Sequence, residues 1–135
     1  MQIINKIWVN GCFDVLHRGH IELFEYCSLI GGSNCYVKVG IDSDKRVKEL
    51  KGESRPFNNQ EDRKYFLESI KFIDEVVIFD SETSLINNVQ KYSPEIMVVG
   101  SDYKDKLVIG SEYASRVVYF DKIGGYSTTK ILEKI

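Results

Sequence analysis

Five short apolar runs punctuate the chain at intervals too long for simple hairpins: IINKIWVN at 3–10, NCYVKVGID at 34–42, EVVIF at 75–79, EIMVVG at 95–100 and RVVYF at 116–120. Most of the sequence between them has helical period. From about Arg18, Ile21, Leu23, Phe24, Cys27 and Leu29 give an apolar stripe that stops at Gly31-Gly32. NNQEDRKYFLESIKFI, 58–73, offers an Asn N-cap, acidic residues in its first turn and apolar Tyr65, Phe66, Leu67, Ile70 and Ile73. SLINNVQKY reads as a helix closed by Ser93-Pro94, and STTKILEKI as a last helix capped by Ser127 or Thr128. The segment between the second strand and Asn58 reads as a polar loop. EIMVVG is apolar throughout, as a strand buried on both faces must be. Strands separated by helices predict an α/β fold, a single Rossmann-like open parallel five-stranded sheet with helices on both faces.

The whole chain, 135 residues, suits one domain of this kind, 1–135, and shows no repeat, linker or low-complexity segment. A net charge of −2 with 28% charged residues, and no basic run or acidic tail, argues against a nucleic-acid or membrane-surface partner. No stretch approaches the roughly 20 apolar residues of a membrane span, and MQIINKIWVNG lacks the parts of a signal peptide, so a cytoplasmic location is expected. Cys12, Cys27 and Cys35 are odd in number and lack metal-type spacing, which reads as reduced thiols.

Both histidines of the chain, His17 and His20, fall between the first strand and the first helix, in NGCFDVLHRGH. In an open parallel sheet that is the ligand-binding end. Gly11 and Gly19 let backbone approach a ligand closely, and the helix start supplies unpaired N–H groups and a partial positive charge. Positions i and i+3 share a helix face, so both imidazoles can donate to the oxygens of a phosphate. Two alternatives stand beside this reading. The pair could be a satisfied structural feature, or it could hold zinc, for which Cys12 or Asp14 would have to complete the ligand set.

GCFDVLHRGH resembles the G-x-F-D-x-x-H-x-G-H signature of the cytidylyltransferase-like nucleotidyltransferases, relatives of the catalytic domains of class I aminoacyl-tRNA synthetases. GYSTTKI resembles the family's second signature, and EDRK puts Arg63 where the family has an arginine. The likeness runs from about Ile7 to Ile135. It implies transfer of a nucleoside monophosphate from a nucleoside triphosphate to a phosphorylated sugar or polyol with release of pyrophosphate, usually with Mg2+ bound to the triphosphate. His17, His20 and Lys51 would be catalytic. Gly11, Cys12, Phe13, Asp14, Gly19, Lys48, Arg63, Gly100, Asp102, Tyr103, Lys122, Tyr126, Ser127, Thr128 and Thr129 would bind nucleotide. Within that set Asp14 is expected to shape the loop or hold a cation, and Lys48 and Lys51 to reach phosphates. Ser127, Thr128 and Thr129 would grip the triphosphate from the other side. GSDYK would receive the base through backbone groups and the Tyr103 ring, and Lys122 stands where relatives commonly carry an arginine. The solvated-surface reading of KRVKELKGESR covers Lys48, Lys51 and Arg55 alike.

LKGESRPFN, GSDYK and IGSEY look most like the adenylyltransferase domain that makes ADP-heptose from a heptose 1-phosphate, which favours ATP. The glycerol-3-phosphate cytidylyltransferases, using CTP, are the close alternative, and a degenerate nucleotide-binding sensor is the non-enzymatic one. Phe72, Ile73, Tyr65 and Phe66 exceed one helix stripe, and the resemblance implies a homodimer.

Overall fold

The computed structural model describes residues 4–121 and 131–132. In chain order its elements are β1 (Asn5–Gly11), α1 (Arg18–Gly31), β2 (Cys35–Asp42), α2 (Asp44–Lys51), α3 (Gln60–Glu68), β3 (Glu75–Phe79), α4 (Glu82–Tyr92), β4 (Ile96–Gly100) and β5 (Arg116–Phe120). Every strand pairing is parallel, and the strand order is β3-β2-β1-β4-β5. The fold is therefore the expected Rossmann-like one. All five expected strands form, and the last expected helix, in STTKILEKI, lies outside the described residues except for positions 131 and 132.

Strand alternation sorts β1 onto two cores. Ile7 and Val9 point to one face, where Phe24 and Cys27 of α1 and Leu67 of α3 pack with Val37, Val39, Ile41, Ile96 and Val98. Trp8 points to the other, where it meets Phe79, Met97 and Leu85 and Val89 of α4. The indole lies across β2: a Cβ on Gly40 would stand 2.6 Å from the Trp8 ring. Below about 3 Å neither group can accommodate the other, so a ring at 8 requires a glycine at 40.

The segment after β2 is not the polar loop the sequence suggested. Ser43 caps a helix through its hydroxyl, which accepts from the Arg46 N–H, and Gly52 ends it with φ at 101°. That helix, α2, buries only Val47, so no apolar stripe announces it. Asn59 caps α3 by accepting from the Asp62 N–H, as expected, but the helix stops at Glu68 rather than near Ile73. The chain continues in turns, with the Ile70 N–H donating to Leu67 and the Ile73 N–H to Ile70, so the apolar residues stay inward without helical geometry. Ile73 is core and Phe72 packs against it. Half of the apolar excess assigned to a partner surface is thus internal, and Tyr65 and Phe66 remain 69% and 43% exposed.

β1 and β4 are the neighbours at which the strand order reverses. They pair at Ile7–Ile96 and Trp8–Met97, whereas the β1–β2 ladder runs on to Gly11–Ile41. Strands that part toward their carboxyl ends leave a crevice there, flanked by Gly11 and Gly100.

Candidate active site

Gly11 ends β1, and Phe13 follows with φ at 48°, a left-handed conformation uncommon outside glycine. That turn folds the Phe13 ring back over Gly11, where a Cβ would come within 3.2 Å of it. The ring then meets His20 edge-on at 5.5 Å and Phe24 at 5.1 Å. A strained residue is thus held by burial on one side and supports an imidazole on the other.

His17 is the N-cap of α1. Its Nδ1 accepts from the Gly19 N–H at 3.0 Å, and the His20 Nδ1 accepts from the His17 N–H at 3.2 Å. The two side chains form a reciprocal capping box, a role usually taken by Ser or Thr with Glu. Their rings stack at 3.9 Å. Because each Nδ1 accepts, the neutral rings carry their protons on Nε2, which makes each Nε2–H the donor a ligand would meet. The structural reading of the pair is met at the Nδ1 of each ring, and a ligand-binding role would fall to Nε2.

Asp14 is 2% exposed, and its carboxylate accepts from the Phe57 and Asn58 N–H groups at 2.7 and 2.8 Å and from Arg55 Nε at 3.1 Å. The Asn58 amide returns a bond to the Asp14 carbonyl. Both carboxylate oxygens are occupied by the protein, and the loop before His17 is clasped to residues 55–58. Of its two expected roles, the one this geometry displays is shaping the loop.

Arg63 is completely buried. Its guanidinium donates to the carbonyls of Asn58, Cys12 and Asp42 and to the Asp44 carboxylate, all within 3.0 Å. It lies behind the site, joining the end of β1, the start of α2 and the 55–58 segment. Its place on the inward i, i+4 stripe with Leu67 is the signal that marks it as internal. Asn58 and Asp44, which complete this network, went unnoticed in the sequence because their partners are distant along the chain.

Lys48 and Lys51 stand on the last turn of α2, exposed and without an ion pair among the described residues. Burial pushes the Cys12 thiol up from its ordinary value, and the Lys51 and Arg63 cations pull against that shift. Lys45, by contrast, points outward and pairs with Glu49 at 4.0 Å. Beyond Gly100 a single 3-10 turn, Ser101–Tyr103, holds Asp102 and a 47% exposed Tyr103. Lys122, Tyr126, Ser127, Thr128 and Thr129 lie outside the described residues. Among the described residues no cluster of His, Cys, Asp and Glu is placed to hold a metal ion, and no helix is long and apolar enough to cross a membrane.

The family model described as Cytidylyltransferase-like matches residues 8–134. The chain is 46% identical over 129 residues to the bifunctional protein HldE of Campylobacter fetus subsp. fetus, and 41% identical over 129 residues to that of Helicobacter pylori. Each alignment covers 96% of this chain and 27% of the relative, so the chain spans about a quarter of the length of those proteins. Among solved structures it is similar to a lipopolysaccharide core biosynthesis protein from Thermoplasma volcanium, with a TM-score of 0.67 at 21% identity over 92% of this chain and 99% of that one. Pantothenate synthetase from Thermus thermophilus gives 0.58 at 12%, over 88% and 56%. At these identities the structural likenesses speak for the fold alone.

Proposed function

This chain belongs to the cytidylyltransferase-like family and is a nucleotidyltransferase, and on that premise we propose that it transfers AMP from ATP to a sugar 1-phosphate, a heptose 1-phosphate first among them. The observation that carries the proposal is the pair of imidazoles that cap α1 through Nδ1, stacked together at the helix N-terminus that follows the carboxyl end of β1. Support for the acceptor comes from the LKGESRPFN, GSDYK and IGSEY segments and from the similarity to HldE.

In the reaction, an oxygen of the acceptor phosphate forms a bond to the α-phosphorus of ATP. The bond from that phosphorus to the bridging oxygen breaks, and its electron pair leaves with pyrophosphate. The acceptor oxygen is already anionic, so no base is needed. The protein's task is alignment and neutralisation of the charge gathering on the leaving group. His17 and His20 donate to the triphosphate through Nε2–H, and the partial positive charge at the start of α1 adds to that field. Lys51, which has no ion pair among the described residues, supplies a cation, with Lys48 beside it. Gly11, Cys12, Phe13 and Gly19 allow the close backbone approach, and Ser127, Thr128, Thr129, Tyr126 and Lys122 complete the triphosphate grip. Gly100, Asp102 and Tyr103 take the adenine. Asp14 and Arg63 serve the nucleotide by holding this loop in place. Members of the family generally use a divalent metal with the nucleotide; we assign Mg2+, which accepts mainly phosphate and water oxygens and so asks little of the protein's carboxylates. A cytoplasmic homodimer, using the exposed Tyr65 and Phe66, is the proposed working form.

The test is pyrophosphate release with each of four triphosphates across a panel of phosphorylated acceptors. ATP with an aldose 1-phosphate should give the highest kcat/KM. A buried donor left unpaired by the wrong base costs ~1–3 kcal/mol, so the preference should be roughly ten- to hundredfold. If CTP with glycerol 3-phosphate exceeds every sugar 1-phosphate, the acceptor assignment is wrong and the transferase class stands.

A further inference from the structure

Arg55 differs from every other cation near the crevice. Its side chain is only 13% exposed, and its Nε donates to Asp14, whose own side chain is fully buried. The backbone N–H groups of Phe57 and Asn58 fix that carboxylate, so the guanidinium is held by one edge against a rigid partner. Its two terminal nitrogens carry four N–H donors and have no hydrogen-bond partner among the described residues. Arg63, on the next helix, has the opposite arrangement: Nε and both terminal nitrogens are all engaged by protein acceptors. Those terminal nitrogens are not fully buried, so a fork fixed by its other edge stays open to an anionic, planar-matched group.

We propose that Arg55 binds a phosphate group of a substrate through its terminal nitrogens, with Asp14 as the positioning residue that aims it. The inference rests on the transferase reading for the identity of the phosphate. Asp14 stands three residues before His17, so Arg55 is fastened to the same loop as the imidazoles, and Lys51 lies four residues before it in the chain. Phosphate chemistry at this fork has two sources, the triphosphate tail and the acceptor's phosphate, and each has its own signature.

Arg55→Gln and Arg55→Lys are compared with the unaltered protein in two measurements. One is the KM for ATP and for the sugar phosphate that turns over; the other is calorimetric binding of inorganic pyrophosphate and inorganic phosphate, which needs no turnover. Loss of a bidentate charged contact predicts a ~10- to 100-fold rise in one KM for Arg55→Gln, with an intermediate rise for Arg55→Lys, which keeps the charge without the fork. A shift in the ATP KM together with pyrophosphate affinity assigns the triphosphate. A shift in the acceptor KM together with phosphate affinity assigns the acceptor. Asp14→Asn should move the same KM, because an amide cannot accept at both oxygens. If neither KM nor either affinity changes in an Arg55 variant that melts cooperatively, Arg55 is a brace for residues 52–58 and the proposal is overturned; Arg55→Lys serves that reading if Arg55→Gln does not fold. Should no substrate pair turn over while pyrophosphate still binds and Arg55→Gln weakens it, the transfer reading fails and the phosphate site stands. If the unaltered protein binds neither anion, both fail.

Discussion

The two ends of the sheet both gather charged side chains and treat them differently. At the amino end, the Lys6 ammonium donates to the Tyr92 carbonyl at 2.7 Å, Tyr92 donates to the Tyr36 carbonyl, and Tyr36 donates to Glu75. Glu75 also pairs with Lys38, and both lysines lie over the Tyr92 ring, at 5.4 and 5.0 Å. Each charge there answers another charge or dipole of the protein. At the carboxyl end that closure is incomplete among the described residues: Lys51 has no ion pair and the Arg55 terminal nitrogens no hydrogen-bond partner there, beside a frame in which Asp14 and Arg63 are fully engaged. A ligand site is legible where a rigid, satisfied network carries donors it does not itself use.

Replacing Arg63 tests the frame hardest. Arg63→Ala removes four hydrogen bonds at once and leaves three carbonyls and the Asp44 carboxylate without their donor. A loss of ~3–5 kcal/mol in unfolding free energy is expected by urea titration. A loss below 1 kcal/mol, on the scale of a single exposed hydrogen bond, would mean that the frame is not what holds the carboxyl end. His17→Ala and His20→Ala should each lower kcat by ~10²-fold or more, the scale of a lost transition-state donor. Because each ring also caps α1, stability should fall by ~1 kcal/mol in the same variants; a cooperative melt with unaltered turnover would reduce the pair to a cap. Next in size is Lys51→Ala, for which a ~10-fold loss in kcat/KM is expected from removal of a charged contact, against no change for Lys45→Ala, whose partner is Glu49. Equal effects would erase the distinction between the two faces of α2.

The smallest effect belongs to the amino end. Tyr92→Phe deletes one hydrogen bond, and ~1 kcal/mol of stability with normal turnover is expected. It also carries a pH signature. Burial, reinforced by Tyr36, Cys35 and nearby glutamates, raises the Tyr92 phenol above its ordinary 10.0. Burial pushes the Cys27 thiol from 9.0 up to about 12. Both groups stay neutral in the folded chain, so the unfolded chain sheds protons first as pH rises. Stability from Cys27 is therefore intact below pH 9.0 and lost toward about 12. Urea titrations from neutral to alkaline pH should show this decline, shallower in Tyr92→Phe; an unchanged slope would place the titrating groups elsewhere.

The sheet was readable because each of its strands is a compact apolar run, and α1 and α4 because their stripes and stops agree. α2 was not, since a helix that buries Val47 alone has no period to detect; only Ser43 at its start could have marked it. α3 read too long because Ile70 and Ile73 keep the apolar spacing after the backbone leaves the helix. At the site, the His17 and His20 pair was visible through its spacing at a strand end. The engagement of Asp14 by Arg55, Phe57 and Asn58 spans 41 to 44 residues, and no local pattern encodes a contact at that distance. Of the two arginines only Arg63 carries a local sign of burial, its i, i+4 spacing with Leu67; nothing local marks Arg55, whose side chain is 13% exposed.

Trp8 and Gly40 form a single choice made at two positions. Since the indole occupies the space a Cβ would need, Gly40→Ala is harmful while the tryptophan stands and less so once it is replaced by a smaller side chain, when only the Phe79 ring, 3.1 Å from that Cβ, has to give. The order of substitution then matters: descent through Trp8→Leu opens position 40 to change, whereas descent through position 40 first meets a barrier. Related chains that carry the large ring at 8 should carry glycine at 40, a historical trace left by one ring lying across one strand.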